Sequence, residues 1–131
     1  ATDDDTRKSL MPSASGIEPT LAASEAYALS RKMRTTLEYV LIAGVNDSPE
    51  DARRLASMTS GRPFKINIIP FNEWKGCSLK RPDDESIDRF VSELLPTAPA
   101  VTVRRSQGGD INAACGQLRA NRRDYKNRET N

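Results

Sequence analysis

The sequence predicts an α/β fold in which parallel strands are covered by helices. Three stretches rich in β-branched and large apolar residues alternate with three stretches whose apolar residues recur at helical spacing. The connections between them are short, and this alternation is typical of units whose strands run parallel. With 131 residues, 37% of them hydrophobic, the chain can bury one modest core. The polar, turn-rich first sixteen residues are expected to form a loop or a poorly ordered start.

The first predicted helix, strand and second helix occupy residues 18–33, 36–43 and 48–59. The first helix has a proline in its first turn, and the strand is dominated by β-branched and large apolar residues. The second helix begins with serine, proline and two acidic residues, a typical start signal. Between them we interpret Asn46 and Asp47 as turn-forming and helix-capping residues.

The second half of the chain predicts two more strands, at residues 65–69 and 101–105, with a long loop over residues 70–82. A third helix is expected to begin at Asp83 or Asp84. Its predicted buried residues are Ile87, Phe90, Val91, Leu94 and Leu95. Prolines end this helix, and the last strand leads into a glycine-rich loop.

One cysteine near the end of the chain is a candidate nucleophile. Asp110 is predicted to cap a short helix that carries Cys115 about one turn further on. A helix N-terminus favours the thiolate, which is the reactive form of cysteine. The alternative is a small buried residue, because Cys115 is surrounded by alanine and glycine. Cys77, the only other cysteine, is interpreted as incidental, and with no histidine in the chain a closed zinc site is not expected.

Ligands of parallel α/β folds gather where the strands end, so the loops at those ends contain the other candidates. Asn72 ends the second strand region, and its amide suits either a nucleoside ligand or loop stabilisation. Trp74 is able to stack on a base or to pack on the domain surface. The last thirteen residues, 119–131, contain five basic and two acidic residues, a local net charge of +3 that suits an RNA contact or an idle solvated tail.

Three segments carry a recognisable signature: residues 35–56 (TTLEYVLIAGVNDSPEDARRLA), residues 64–72 (FKINIIPFN) and residues 110–118 (DINAACGQL). In this order they resemble the RlmN/Cfr family of radical S-adenosylmethionine RNA methyltransferases. Residues 1–12 (ATDDDTRKSLMP) are similar to the stretch that follows one of the family's cofactor-binding turns. The resemblance extends over residues 1–118, so residues 119–131 form a separate basic tail. It implies an α/β fold that is the C-terminal half of a radical SAM partial (β/α)6 barrel with parallel strands.

The same resemblance implies a reaction and two site residues. Cys115 matches the cysteine that carries a methyl group from one S-adenosylmethionine, and Asn72 matches an asparagine that contacts this cofactor. A [4Fe-4S] cluster then cleaves a second S-adenosylmethionine, and the methyl carbon is transferred to adenine of RNA. The RlmN branch modifies C2 of adenosine in 23S rRNA and tRNA, whereas the Cfr branch modifies C8 of an rRNA adenosine. The segments look more like RlmN, which implies a monomer in the complete enzyme.

The sequence also departs from the family pattern. The CxxxCxxC motif, whose three thiolates hold the cluster, and the resolving cysteine are absent from these 131 residues. Residues 107–109 lack a basic and an acidic side chain that the family commonly has, and Glu73, Trp74 and Lys75 stand where prolines are common. We therefore expect a C-terminal fragment that catalyses nothing alone, although the parent protein is expected to be an enzyme.

Three alternatives to this assignment remain: an inactive truncated remnant, a small RNA-binding module that uses the basic tail, and a thiol redox protein that pairs the two cysteines. The sequence has no run of 18 apolar residues, so no membrane span is expected. A reducing, cytoplasmic compartment is the expected location.

Overall fold

The computed structural model describes residues 1–104 and the main chain of residues 111–112. Within these residues a sheet of order β1-β2-β3-β4 is formed. β1, β2 and β3 are parallel, as predicted, and β4 pairs antiparallel with β3. The elements in chain order are α1 (Asp4–Leu10), α2 (Ile17–Arg31), β1 (Thr35–Leu41), α3 (Pro49–Thr59), β2 (Phe64–Pro70), α4 (Asp84–Leu94), β3 (Ala100–Arg104) and β4 (Ile111–Asn112).

The core lies between one face of the sheet and the apolar faces of α3 and α4. Alternate residues of β2 are buried, as expected for a strand with one covered face. Tyr39 of β1 stacks on Phe90 of α4 with ring centroids 5.5 Å apart. The predicted apolar face of α4 is confirmed: its four helical members are buried, and Leu95, the C-cap, packs partly buried against the core.

The predicted start residues of helices α3 and α4 are confirmed. Ser48 and Asp51 form a reciprocal capping box, with Pro49 as the first helical residue. Asp83 caps α4 by accepting a 2.7 Å hydrogen bond from the Ser86 amide. This contact lowers the pKa of Asp83, because it stabilises the carboxylate.

The predicted loop at the start of the chain is wrong, because residues 4–10 form α1. Asp3 caps this helix by accepting a 2.7 Å hydrogen bond from the Thr6 amide, and two aspartates occupy its first turn. None of the seven helical residues is buried. The helix therefore has no buried apolar face, and its sequence lacks the apolar periodicity from which helices are predicted.

The predicted helix start at Asp110 is also wrong. Residues 111 and 112 form the short strand β4, which is in register with Arg104 and Val103 of β3. A helix capped by Asp110 would need these two residues in its first turn. Antiparallel pairing satisfies main-chain groups of β3 that would otherwise lie at a sheet edge. Asp110, Cys115 and the tail of residues 119–131 lie outside the described residues. None of the helices that the structure describes has the length and apolar character needed to cross a membrane.

Candidate functional site

The loops that follow β1 and β2 leave the same edge of the sheet, and main-chain hydrogen bonds hold them together. The Phe71 amide donates to the Leu41 carbonyl at 2.9 Å, which continues the β1–β2 pairing beyond the strands. The Ala43 amide donates to the Lys80 carbonyl, also at 2.9 Å. The two loops therefore form one continuous surface at the carboxyl ends of the parallel strands, where ligands of such folds bind.

The first loop is organised around Asn46, which is only 1% exposed. Its side-chain oxygen accepts from the Ile42 amide and its side-chain nitrogen donates to the Val40 carbonyl, both at 2.8 Å. Its main-chain carbonyl accepts a 2.8 Å hydrogen bond from the Tyr39 hydroxyl, and burial raises the pKa of that tyrosine well above its ordinary value. With its polar groups engaged internally, Asn46 fixes the loop and has no free group for a ligand.

The turn-forming interpretation of this loop is confirmed, with a difference in the capping residue. Asp47 accepts a 2.9 Å hydrogen bond from the Gly44 amide. Gly44 has φ +70°, a conformation that favours glycine. The cap of α3 is Ser48 rather than Asn46 or Asp47.

The second loop carries Asn72, exposed and directly after the buried Phe71. Glu73 closes the loop: one carboxylate oxygen accepts from the Arg81 amide at 2.9 Å, and the other lies 3.5 Å from the Lys80 ammonium. The hydrogen bond from the Arg81 amide is the main reason that the pKa of Glu73 is lowered. Asn72 therefore stands, exposed to solvent, at the base of a closed loop.

Trp74 projects from this loop and is 62% exposed. One side of its ring meets Phe71, with centroids 5.3 Å apart and planes inclined by 49°. Cys77 donates its amide to the Trp74 carbonyl at 3.0 Å, and Gly76 adopts φ +89° in the turn between them. Cys77 is half-buried, and its part in the described structure is to form this turn.

The face of the sheet opposite the core carries a row of polar side chains that the sequence analysis did not single out. Glu38, Asn67 and Thr102 are lateral neighbours on β1, β2 and β3. Thr102 donates a 3.0 Å hydrogen bond from its hydroxyl to the Asn67 side-chain oxygen. Each of the three is exposed or half-buried, whereas the residues alternating with them are buried except at the start of β1. Polar residues at every second position of a strand are the signal that predicts such a face.

The described residues fit the two cofactors implied by the resemblance to different degrees. Asn72 is an exposed carboxamide at a strand end, and a carboxamide offers the donor and the acceptor that a nucleoside such as that of S-adenosylmethionine requires. In contrast, residues 1–104 contain no group of three or more side chains that could hold a metal ion. The whole chain has only two cysteines, so it cannot supply the three thiolates of a [4Fe-4S] cluster.

Of the two predicted site residues, the structure places Asn72 at the expected strand end. Cys115 lies outside the described residues, so its distance from Asn72 stays a prediction.

Comparison with known proteins identifies the relatives of this chain. It is 47% identical over 127 residues to the dual-specificity RNA methyltransferase RlmN of Desulfosudis oleivorans, a match that covers 95% of this chain and 34% of the relative. It is 45% identical over 121 residues to RlmN of Geobacter sulfurreducens, covering 91% of this chain and 34% of that protein. The chain thus spans about a third of the length of these relatives. No family model matches the sequence.

A solved structure agrees with the sequence relatives. The fold superimposes on a crystal structure of a radical SAM methyltransferase from Sphaerobacter thermophilus with a TM-score of 0.77 and 42% identity, covering 89% of this chain and 35% of that one. This similarity confirms the predicted fold class, an α/β arrangement of parallel strands and helices that is part of a radical SAM methyltransferase fold. By sequence and by fold, the chain thus matches RlmN proteins and a radical SAM methyltransferase along nearly its whole length, and it corresponds to about a third of the length of these relatives.

Proposed function

We propose that this chain is the C-terminal part of a dual-specificity radical SAM enzyme that methylates C2 of adenosine in 23S rRNA and tRNA. The observation that carries the proposal is the 47% identity over 127 residues to a protein named as a dual-specificity RNA methyltransferase. The proposal places the enzyme in the cytoplasm with its RNA substrates, as a monomer.

Cys115 is proposed to carry the methyl group. Its thiolate attacks the methyl carbon of the sulfonium, a sulfur–carbon bond forms on Cys115, and the cofactor's sulfonium–methyl bond breaks to release S-adenosylhomocysteine. The thiol proton passes to solvent before the attack, because only the thiolate is nucleophilic. A helix beginning at Asp110 is not available to stabilise that thiolate, since β4 occupies residues 111–112.

Asn72 is proposed to position S-adenosylmethionine. Its exposed amide follows β2 at the edge where the two loops meet, so it can donate to and accept from the ribose or the adenine. The later transfer of carbon to RNA needs a one-electron reductant, and a [4Fe-4S] cluster supplies that chemistry when it is bound. Its thiolate ligands belong to residues outside this chain, which has two cysteines in all.

The proposal is tested in a chimera that joins this chain to the remaining two-thirds of the Desulfosudis relative. The readouts are methyl transfer to 23S rRNA and tRNA fragments, mapping of the methylated adenine carbon, and mass spectrometry of the peptide that contains Cys115. We expect methylation at C2 of adenine and a methyl group on the Cys115 sulfur, seen as a mass increase of one CH2. Both should be lost in Cys115→Ala. Cys77→Ala is the matched control and should keep activity. Full turnover by the Cys115→Ala chimera would contradict the assignment.

The isolated chain is proposed to be inactive. It offers neither the cluster thiolates nor a second cysteine at a family position. The same methyl-transfer assay with the 131-residue chain alone should give no product. Product formation by that chain would show that the missing ligands are not required.

A further inference from the structure

We propose that Trp74, Lys75 and Lys80 form a docking surface for a single-stranded segment of the RNA substrate, in which one base stacks on Trp74 and the lysines contact phosphates. We call these three residues the Trp74 surface. The proposal rests on the proposed function, because that function supplies RNA as the partner.

The indole of Trp74 is presented as a supported stacking platform. It is 62% exposed, and its contact with Phe71 leaves much of the ring open to solvent. Phe71 is buried and tied to β1 through its amide, so it holds the platform in place. Every base has a face that can stack on an aromatic ring, and a platform fixed before binding loses little entropy.

A second exposed aromatic residue shows the contrast. Tyr27 on α2 is 54% exposed, but the guanidinium of Arg31 lies 5.8 Å from its ring centroid. That cation already occupies a face of the tyrosine. Trp74 has Phe71 as its ring contact among the described residues and keeps a face for a ligand.

The charge of the loop favours a polyanion. Between residues 71 and 82 there are three basic residues and one acid, Glu73. The carboxylate of Glu73 accepts from the Arg81 amide and lies 3.5 Å from the Lys80 ammonium, and with one acid against three bases the loop keeps a local net charge of +2. Lys75 is exposed and makes no ion pair among residues 1–104, and Lys80 is 65% exposed. Lysines in this arrangement bind phosphate groups and release counterions.

The position of the surface fits a nucleotide that flanks the reacting adenosine. Trp74 is two residues from Asn72, so their Cα atoms are at most about 7 Å apart. The main-chain bond between Ala43 and Lys80 keeps the other end of the loop at the same sheet edge. A base held on Trp74 would therefore anchor the strand beside the proposed cofactor residue.

Trp74 is the only tryptophan of the chain, so tryptophan fluorescence of the 131-residue protein reports on this surface alone. The experiment titrates the protein with a single-stranded RNA oligonucleotide at several salt concentrations. We expect saturable quenching, and about 5- to 150-fold weaker binding of Trp74→Ala measured with labelled RNA. Trp74→Phe should retain most of the affinity. Lys75→Gln should reduce the dependence of log affinity on log salt by about 0.7.

The controls separate this surface from the basic tail. Tyr27→Ala removes an exposed aromatic on α2, and Lys8→Gln removes one charge on α1; both should bind RNA as the unchanged protein does. A chain shortened to residues 1–118 should keep the quenching. If RNA binds with no change in fluorescence, if it does not bind even at low salt, or if Trp74→Ala binds as tightly as the unchanged protein, the proposal is wrong.

The chimera distinguishes this proposal from the assignment of Cys115. Trp74→Ala in the chimera should raise KM for RNA with kcat kept within about twofold, whereas Cys115→Ala should abolish turnover. If the chimera methylates RNA and Trp74→Ala leaves KM unchanged, the docking surface is disproved and the proposed function stands. If Trp74 instead packs against another part of the enzyme, Trp74→Ala lowers the stability of the chimera, which would also disprove RNA docking.

Discussion

The hydroxyl of Tyr39 donates a 2.8 Å hydrogen bond to the main-chain carbonyl of Asn46, seven residues further along the chain. The side chain of Asn46 returns to the same strand end, where it engages the Ile42 amide and the Val40 carbonyl. A buried tyrosine and a buried asparagine thus close the end of β1, and neither leaves a buried side-chain polar atom unpaired. The loop that borders the candidate site is positioned by this closure.

Replacing Asn46 by alanine should therefore lower the free energy of unfolding by about 2–6 kcal/mol. The reason is that the Ile42 amide and the Val40 carbonyl would each lose their partner in a buried setting, at about 1–3 kcal/mol per group. Chemical denaturation monitored by circular dichroism measures the change. Asp47→Ala, which removes one exposed turn contact, is the matched control and should cost about 1 kcal/mol. Equal losses for the two variants would contradict the closure described above.

Asp51 should make the stability of the chain depend on acid. Burial alone would raise the pKa of this carboxyl, but hydrogen bonds from Thr2, Ser48 and Arg54 outweigh burial and lower it. A pKa that is lower in the folded than in the unfolded state contributes stability above the ordinary aspartate value of about 4. That contribution disappears as pH falls through the lowered value.

Asp51→Asn should thus destabilise the chain by about 1–3 kcal/mol at neutral pH and by progressively less below about pH 4. Denaturant unfolding at a series of pH values gives the two curves, which should converge in acid. Glu50→Gln is a suitable control, because Glu50 is exposed and pairs only with Arg53 among the contacts of the described residues. Parallel curves for Asp51→Asn and the unchanged protein would show that Asp51 is not the source of the acid dependence.

The elements that the sequence predicted well are those with an apolar face. β2 alternates buried and less buried residues, and α4 places four apolar residues on one side, so both patterns follow directly from burial. α1 was missed because its stability comes from the Asp3 cap and from contacts such as the 2.8 Å hydrogen bond between Asp4 and the Ile17 amide. The Asp3 cap is a local contact, whereas the contact between Asp4 and Ile17 is fixed by tertiary structure, and neither of them produces an apolar periodicity in the sequence.

The candidate site was predicted in part for a similar reason. Asn72 was found through its position after a strand and through the family resemblance. Glu38, Asn67 and Thr102 were missed because the register that makes them neighbours is a property of the folded sheet. On α2, Tyr27 and Leu29 matched a helical pattern but are exposed, while Leu21 and Ala28 are buried. Periodicity identified the helix, but the packing partners determine which residues are covered.

Asn72→Ala should weaken cofactor binding in the chimera. Loss of one or two neutral hydrogen bonds to the nucleoside is expected to raise KM for S-adenosylmethionine about 2- to 10-fold, with KM for RNA unchanged. Initial rates at varied cofactor concentration measure this effect. Ser78→Ala, an exposed polar residue of the same loop, is the control and should leave both constants unchanged. A change in KM for RNA alone would assign Asn72 to the RNA and not to the cofactor.

Truncation of Phe90 and of Trp74 should change the free energy of unfolding to very different extents, although each residue has an aromatic neighbour. Phe90 is 1% exposed and stacks on Tyr39, so Phe90→Ala opens a cavity in the core and should cost about 3–5 kcal/mol of unfolding free energy. Trp74 is 62% exposed, and Trp74→Ala should change that free energy by less than about 1 kcal/mol.

Because the loss for Phe90→Ala can exceed the total stability of so small a chain, Phe90→Leu provides a comparison that stays folded, with an expected loss of about 1 kcal/mol. Denaturant unfolding followed by far-ultraviolet circular dichroism avoids reliance on Trp74 fluorescence. A loss for Trp74→Ala as large as that for Phe90→Ala would mean that the indole is buried in the protein, and would contradict the exposed position described here.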